Sequence, residues 1–401
     1  MDLPKHLLYA TSARLGGSGL DAVALESVRT AQRAGILGKA LAFENRQTEI
    51  PAGQIRSLQM HPVRLLSFLD SEYYYGAKKF VLDCSAVMEL SRRADLFRKW
   101  KSRYDLFHGW SGECVYTLRF AKRHGVPTII EIPTWHRNKG KAKSARLTKS
   151  ERERAEARGW QGVKNRLLVT RQQVLEEYDL ADLILVLSEK AEETFLAAGI
   201  AREKLFRHQR GVDVTRFTPA EKPPEKFVAI FVGALIKRKG VHHLLEVWHR
   251  LNLKDAELVL VGAVHDEMRP YLAEFAGENV KRPGFVARVE DCYRAATVHV
   301  FPSECEGSAK CTYEAAACGL PQITTRESGD VVRDGVNGLI IPPNDPDALA
   351  AAIERLYRDR DLAARLGAAG RVRVVENFTW EHFRARLLEA YRLAMMKGEA
   401  R

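Results

Sequence analysis

Short apolar runs recur along this chain, each followed by a turn of small residues and then by a helical stretch, and this alternation restricts the fold more than any other feature. Leu7-Leu8-Tyr9-Ala10 reads as a buried strand and leads through Gly16-Gly17-Ser18-Gly19 into a helical stretch from about Asp21 to Ala34. Leu106-Phe107-His108 precedes a helical stretch near Glu113 to His124 and then the strand Thr128-Ile129-Ile130. Leu183 to Leu187 precedes Ser188, a good N-cap for a helix that ends at Gly199. Strands that alternate with helices in this way imply a parallel, doubly wound sheet.

The pattern restarts after Pro219-Ala220-Glu221-Lys222-Pro223-Pro224, which reads as an interdomain linker. Strands are expected at Val228 to Val232, Glu257 to Val261, Thr297 to Phe301 and Gln322 to Thr324, so the second half is also Rossmann-like. With 401 residues the chain exceeds what one core usually supports. The expected division is residues 1–210, residues 211–380, and a closing helix over 381–401 with apolar positions 383, 387, 388 and 391 that returns to the first domain.

Apolar runs fall far short of a membrane span. The start of the sequence has no long apolar stretch of the secretory kind, so the expected location is cytoplasmic. Six cysteines with no Cys-x-x-Cys pair read as reduced, structural thiols. The formal charge of +12 is concentrated: residues 137–171 hold twelve Lys or Arg against three Glu, an excess of nine. That segment suits an anionic membrane or a diphosphate-linked acceptor, or else is a solvated helix face. Nucleic acid is disfavoured, because stacking aromatics are missing there apart from Trp160. Leu65-Leu66, Phe68-Leu69 and Tyr73-Tyr74-Tyr75 with Lys78-Lys79 read as core packing, with an interfacial surface as the alternative.

Three segments carry chemistry. The Gly16-Gly17 loop lets a ligand approach backbone amides at the start of a helix, although many such turns bind nothing. Lys237-Arg238-Lys239-Gly240 follows the first strand of the second domain, at the edge where parallel sheets take ligands, and three cations there suit a diphosphate. The strongest is Glu306-Gly307-Ser308-Ala309-Lys310-Cys311-Thr312-Tyr313-Glu314. On one continuous helix its two carboxylates would stand about 12 Å apart along the axis. With Glu306 in a loop and Glu314 in the first turns of a helix, both converge on one ligand, and amides from Gly307 to Lys310 face its phosphates. His108 and His136 both lie just past strands of the first domain. Asp345-Pro346-Asp347 matches a helix start better than a metal-binding Asp-x-Asp.

These residues resemble glycosyltransferase family 4. Glu306 to Glu314 with Ala315-Ala316-Ala317-Cys318-Gly319-Leu320-Pro321 matches its signature, and Phe231-Val232-Gly233 with Lys239-Gly240, Gly211-Val212-Asp213 with Arg216-Phe217, Asp334-Gly335-Val336-Asn337-Gly338 and Phe378-Thr379-Trp380 follow in family order. The resemblance implies an α/β GT-B fold of two facing Rossmann-like domains and retaining transfer from a UDP- or GDP-sugar to a hydroxyl of a glycan or lipid-linked acceptor. It implies bacterial glycan or glycolipid synthesis, and the basic segment 137–171 adds peripheral contact with an anionic membrane as an expectation. Glu306 would contact the donor sugar, Glu314 the ribose, Arg238 and Lys239 the diphosphate, and Gly16 and Gly17 would close over the donor. Gly307, Ser308, Ala309 and Lys310 would line the donor site, and His136 would be the catalytic-region histidine. The family needs no metal or other cofactor, the nucleotide sugar being a substrate, because basic side chains and helix amides stabilise the leaving diphosphate. Ala234 stands where an arginine is common, and Arg238 is expected to supply the charge. Glu-Gly-Ser-Ala replaces the common Glu-Gly-Phe-Gly. Rival readings are a GT-B sugar-nucleotide epimerase and a catalytically inactive sugar-nucleotide binder.

Overall fold

The structure is a computed structural model that describes residues 2–17, 19–92, 102–137, 156–165, 168–222 and 224–399. Most of the basic segment, residues 138–155 and 166–167, lies outside the described residues. The chain divides into two compact units: Met1–Val186, Glu192–His208 and Arg384–Arg401 form one, and Leu187–Ala191 with Gln209–Phe383 form the other.

In the first unit seven parallel strands run in the order β3-β2-β1-β4-β5-β6-β7. They are β1 Leu7–Leu15, β2 Leu37–Asn45, β3 Ile55–Ser57, β4 Leu106–Trp110, β5 Thr128–Glu131, β6 Leu183–Val186 and β7 Leu205–Arg207. Side chains of β4, β5 and β6 are buried throughout, as strands covered by helices on both faces require. The order reverses between β1 and β4, so the crevice where such sheets take ligands opens past Leu15 and Trp110.

In the second unit six parallel strands run β10-β9-β8-β11-β12-β13, and here the reversal falls between β8 and β11. These strands are β8 Phe227–Val232, β9 Ala256–Val261, β10 Val280–Gly284, β11 Val298–Phe301, β12 Gln322–Thr325 and β13 Leu339–Ile341. The helix Val241–Leu251 buries Val241, Leu244, Leu245, Val247 and Trp248, a stripe at helical spacing, and ends on left-handed Asn252. Phe231 stacks on Phe301 at 5.4 Å between ring centroids, joining the strands that flank the crevice.

The proline-rich stretch 219–224 is not a connection between the units, because the chain changes unit after Val186, Ala191, His208 and Phe383. It is tied down within the second unit, where Arg360 Nη2 donates to the Pro224 carbonyl at 3.3 Å. The helix Trp380–Glu399 buries Phe383, Leu387, Ala390, Tyr391 and Ala394, and from Arg384 onward it belongs to the first unit. Tyr391 Oη lies 3.1 Å from His108 Nδ1. The region read as core packing, with an interfacial surface as the alternative, is only partly core: the helix Ser71–Leu90 buries Ala77, Lys78 and Leu82, while Tyr75 on it and Leu65 and Phe68 before it are exposed. All six cysteines are free thiols. No helix among the described residues is long and apolar enough to cross a membrane.

Candidate functional site

Two loops meet at the reversal point of the second sheet. The first leaves β8 through Gly233, makes a turn of 3-10 helix at Lys237–Lys239 and enters the next helix at Gly240. Gly233, at φ +151°, holds a backbone conformation that side chains rarely adopt, and the Lys239 ammonium lies against it, 2.7 Å from where a Cβ would stand. Gly240, at φ +70°, packs directly on the Pro302 carbonyl, which brings this loop against the one that leaves β11.

The second loop carries Glu306. Arg238 spans the two: its Nη1 lies 3.0 Å from Glu306 Oε1 and donates to the Cys305 carbonyl, while its own carbonyl accepts from the Glu304 amide at 2.9 Å. The Glu306 amide donates to the Glu327 carbonyl at 3.0 Å. Gly307 and Ser308 are held through their carbonyls, which accept from Ser188 Oγ at 2.7 Å and Arg210 Nε at 2.9 Å. Ser188 also caps its helix, accepting from the Ala191 amide at 3.1 Å. Ser308 Oγ pairs with Tyr313 Oη at 2.7 Å. This side chain, the departure from the Phe of the motif that the segment resembles, faces the protein, 3% exposed.

The helix Lys310–Ala317 follows, with Ala309 as N-cap and no side-chain cap, so its first amides have no intrahelical partner. The expectation that every amide from Gly307 to Lys310 faces a ligand needs one correction. The Ala309 amide donates to the Ser328 carbonyl at 2.8 Å and is spent on holding the loop. Glu314 lies within the helix, 4% exposed. A carboxylate so buried requires partners, and it has Lys310 Nζ at 2.7 Å and the Tyr293 hydroxyl, which donates to Oε2 at 3.2 Å. Burial first, and then the Glu314 charge, push the Tyr293 phenol well above its ordinary value. Sequence reading missed Tyr293, Ser188 in its second role and Arg210. Only Arg210 had a nearby signal, the adjoining Gly211-Val212-Asp213.

Gly16, Gly17, His108 and His136 belong to the first unit, and Asp345 to the second. Gly16, at φ +99°, ends β1 against the backbone of Arg46, and Gly17 abuts Asp21. His136 is 1% exposed, its ring T-shaped on Phe195 at 5.0 Å and tilted on Tyr178 at 5.1 Å, which gives it a packing role. His108 is fully buried on β4, and burial pulls its imidazole down to about 3, so it is neutral. Asp345 starts the helix Pro346–Arg358, accepting from the Ala348 amide at 2.9 Å.

The site thus gathers Arg238, Lys239 and Lys310, two carboxylates and a free helix N-terminus at the switch point of a parallel sheet. Residues 226–359 match the family model described as Glycosyl transferases group 1. This group 1 match takes in both loops. Among curated proteins, alpha-maltose-1-phosphate synthase of Mycolicibacterium smegmatis is 30% identical over 53% of the chain and 64% of its own length. The corresponding synthase of Mycobacterium tuberculosis is 32% identical over 50% and 54%. The chain therefore spans less than two thirds of these relatives. D-inositol 3-phosphate glycosyltransferase of Thermobifida fusca is 28% identical over 73% of the chain and 70% of its length. Among solved structures, sucrose-phosphate synthase of Thermosynechococcus elongatus superposes with a TM-score of 0.71 at 19% identity, covering 96% of this chain and 98% of that one. The GT-B architecture of two parallel-sheet Rossmann-like domains follows.

Proposed function

We propose that the chain is a retaining, metal-independent glycosyltransferase of family 4 that moves a sugar from a UDP- or GDP-sugar to a hydroxyl acceptor in bacterial glycan or glycolipid synthesis. The observation that carries this reading is the meeting of Arg238 and Glu306, 3.0 Å apart, across the two loops at the β8–β11 reversal. An Anabaena protein of the same architecture, with a TM-score of 0.65 at 16% identity, has been crystallised with UDP-glucose, and the named relatives are glycosyltransferases and synthases, which supports a nucleotide-sugar donor.

On this reading the diphosphate lies against Arg238, Lys239 and the open end of the helix Lys310–Ala317, where fixed cations and amide dipoles stabilise the charge that grows on the leaving group. Glu306, partly exposed, takes the sugar hydroxyls. Glu314 takes the ribose hydroxyls, and Lys310, released from an ion pair whose lysine is 41% exposed, turns to the phosphates. The exchange keeps this buried carboxylate partnered, because the ribose hydroxyls and the Tyr293 hydroxyl take the place of the ammonium. The acceptor hydroxyl attacks from the leaving-group face, and its proton leaves with the diphosphate. A cytoplasmic location, with contact to an anionic membrane, belongs to the same proposal.

The test is a screen of the full chain against UDP-, GDP- and ADP-sugars without acceptor, following nucleoside diphosphate release and the anomeric form of the freed sugar. Slow hydrolysis of a UDP- or GDP-sugar with retention is expected. Hydrolysis of none of the three classes, or release with inversion, would overturn the proposal.

A further inference from the structure

Four cations gather at the carboxyl ends of β1 and β2. Arg14 is near the end of β1, Arg46 follows β2, Arg64 comes from the 3-10 turn Pro62–Phe68, and Lys78 from the helix Ser71–Leu90. The carboxylate shared by the arginines is Glu44, itself buried, with Arg46 Nη2 at 3.0 Å, Arg64 Nη2 at 3.5 Å and Arg14 Nε at 3.7 Å. One guanidinium suffices to satisfy a carboxylate, so three around one leave positive charge unmatched. Counting Asp21, which accepts from the Arg14 amide at 3.0 Å, and Glu113, whose charge also reaches Lys78, the four positive charges still outnumber three negative ones.

Lys78 makes the imbalance sharper. The residue is 6% exposed, and its ammonium stands 3.6 Å from the centroid of the Phe43 ring, 4.9 Å from Tyr75 and 5.5 Å from Tyr74. Among the described residues none accepts a hydrogen bond from its Nζ and no carboxylate is within ion-pair distance. Aromatic faces offset part of the desolvation of a cation but accept none of its three N–H groups in the way an oxygen does. Burial, then the neighbouring Arg14, hold this ammonium below the ordinary lysine value. An anion brought to the cluster would relieve both effects. Its place is where open parallel sheets receive ligands, beside the Gly16 turn that packs on Arg46.

We propose that Arg46, Arg64 and Lys78, with Arg14, bind a phosphate group carried by the ligand of the first unit. Naming that ligand as the acceptor rests on the glycosyl-transfer reading, whereas phosphate binding does not.

The experiment titrates the full chain with inorganic phosphate in a phosphate-free buffer at low salt, by calorimetry. The same titration is run on Arg46→Gln with Arg64→Gln, two residues exposed enough for the fold to tolerate the change, and on Lys78→Met, which keeps the stem among the rings. Saturable binding by the wild-type chain, weakened at least tenfold in both variants while circular dichroism is unchanged, is expected. Absence of saturable binding, or equal affinity in all three proteins, overturns the proposal. Repeating the wild-type titration with UDP present locates the source: unaltered phosphate affinity places the group on the acceptor, and competition places it on the donor. UDP-sugar binding measured in parallel separates the two readings. A chain that binds UDP-sugar but not phosphate refutes this site alone. One that binds phosphate through these residues but no nucleotide sugar refutes the transfer reading.

Discussion

Glu314 and Glu306 are eight positions apart in sequence and differ in how they are held. Glu314 is nearly sealed and has both an ammonium and a phenol as partners, while Glu306 is tied to one arginine and keeps a face open. Replacing Glu314 by Gln keeps the Tyr293 contact and removes the charge that Lys310 answers. Donor affinity is expected to fall about tenfold, or about 1.4 kcal/mol, with turnover at saturation changing less. An unchanged dissociation constant for the donor would remove Glu314 from the ribose. Gly233→Ala places a Cβ 2.7 Å from Lys239 Nζ at a φ that L-residues avoid, so donor binding should weaken by a similar factor, measured in the same titration. At this scale the sequence was informative where residues are contiguous: the motif located both glutamates and the basic turn. Tyr293 lies 21 residues before Glu314 on a separate helix, and a phenol recruited across that separation leaves no local pattern.

Elements whose apolar pattern is unbroken were readable with ends shifted by a residue or two, as for β8 and the helix Lys310–Ala317. β2 was not, because Gly38 and Lys39 interrupt its apolar run, and the helix Ser71–Leu90 was obscured by Tyr73-Tyr74-Tyr75 and Gly76. The turn between β4 and the helix Val115–His124 is built on buried acids that no spacing announces. Glu177 accepts from the Gly112 and Cys114 amides, and Asp83 from the Tyr116 and Thr117 amides. Burial pushes Glu177 up to about 7 from 4.5 and Asp83 up to about 6 from 3.8, against the pull of those amides. The folded chain therefore holds these protons more tightly than the unfolded one. Their stabilisation is complete below pH about 4 and is lost as pH rises through 6 to 7. Glu177→Gln should flatten that decline by at most roughly 3 kcal/mol between pH 4.5 and 8, measured by denaturant unfolding at each pH. The same pH slope in variant and wild type would contradict this assignment.

Across the whole molecule, two doubly wound sheets and a returning C-terminal helix were legible because the strand–helix alternation is periodic and restarts. The boundary expected between residues 210 and 211 falls two residues from the change of unit at His208 and Gln209, whereas the prolines of 219–224, which resemble a linker, lie within the second unit. The returning helix is secured by Tyr391, whose hydroxyl meets His108 in the core. Tyr391→Phe leaves a neutral buried imidazole nitrogen without that partner and should cost about 1–3 kcal/mol in chemical unfolding, with donor hydrolysis retained. A loss under 0.5 kcal/mol would show that the contact contributes little. The central claim, that the loop and helix from Glu306 to Glu314 form the donor site, is tested most directly by comparing wild type and Glu306→Gln on the donor identified by the hydrolysis screen. Turnover should fall by about a hundredfold or more while the donor dissociation constant changes by less than about threefold. Equal turnover by the two proteins would contradict the account.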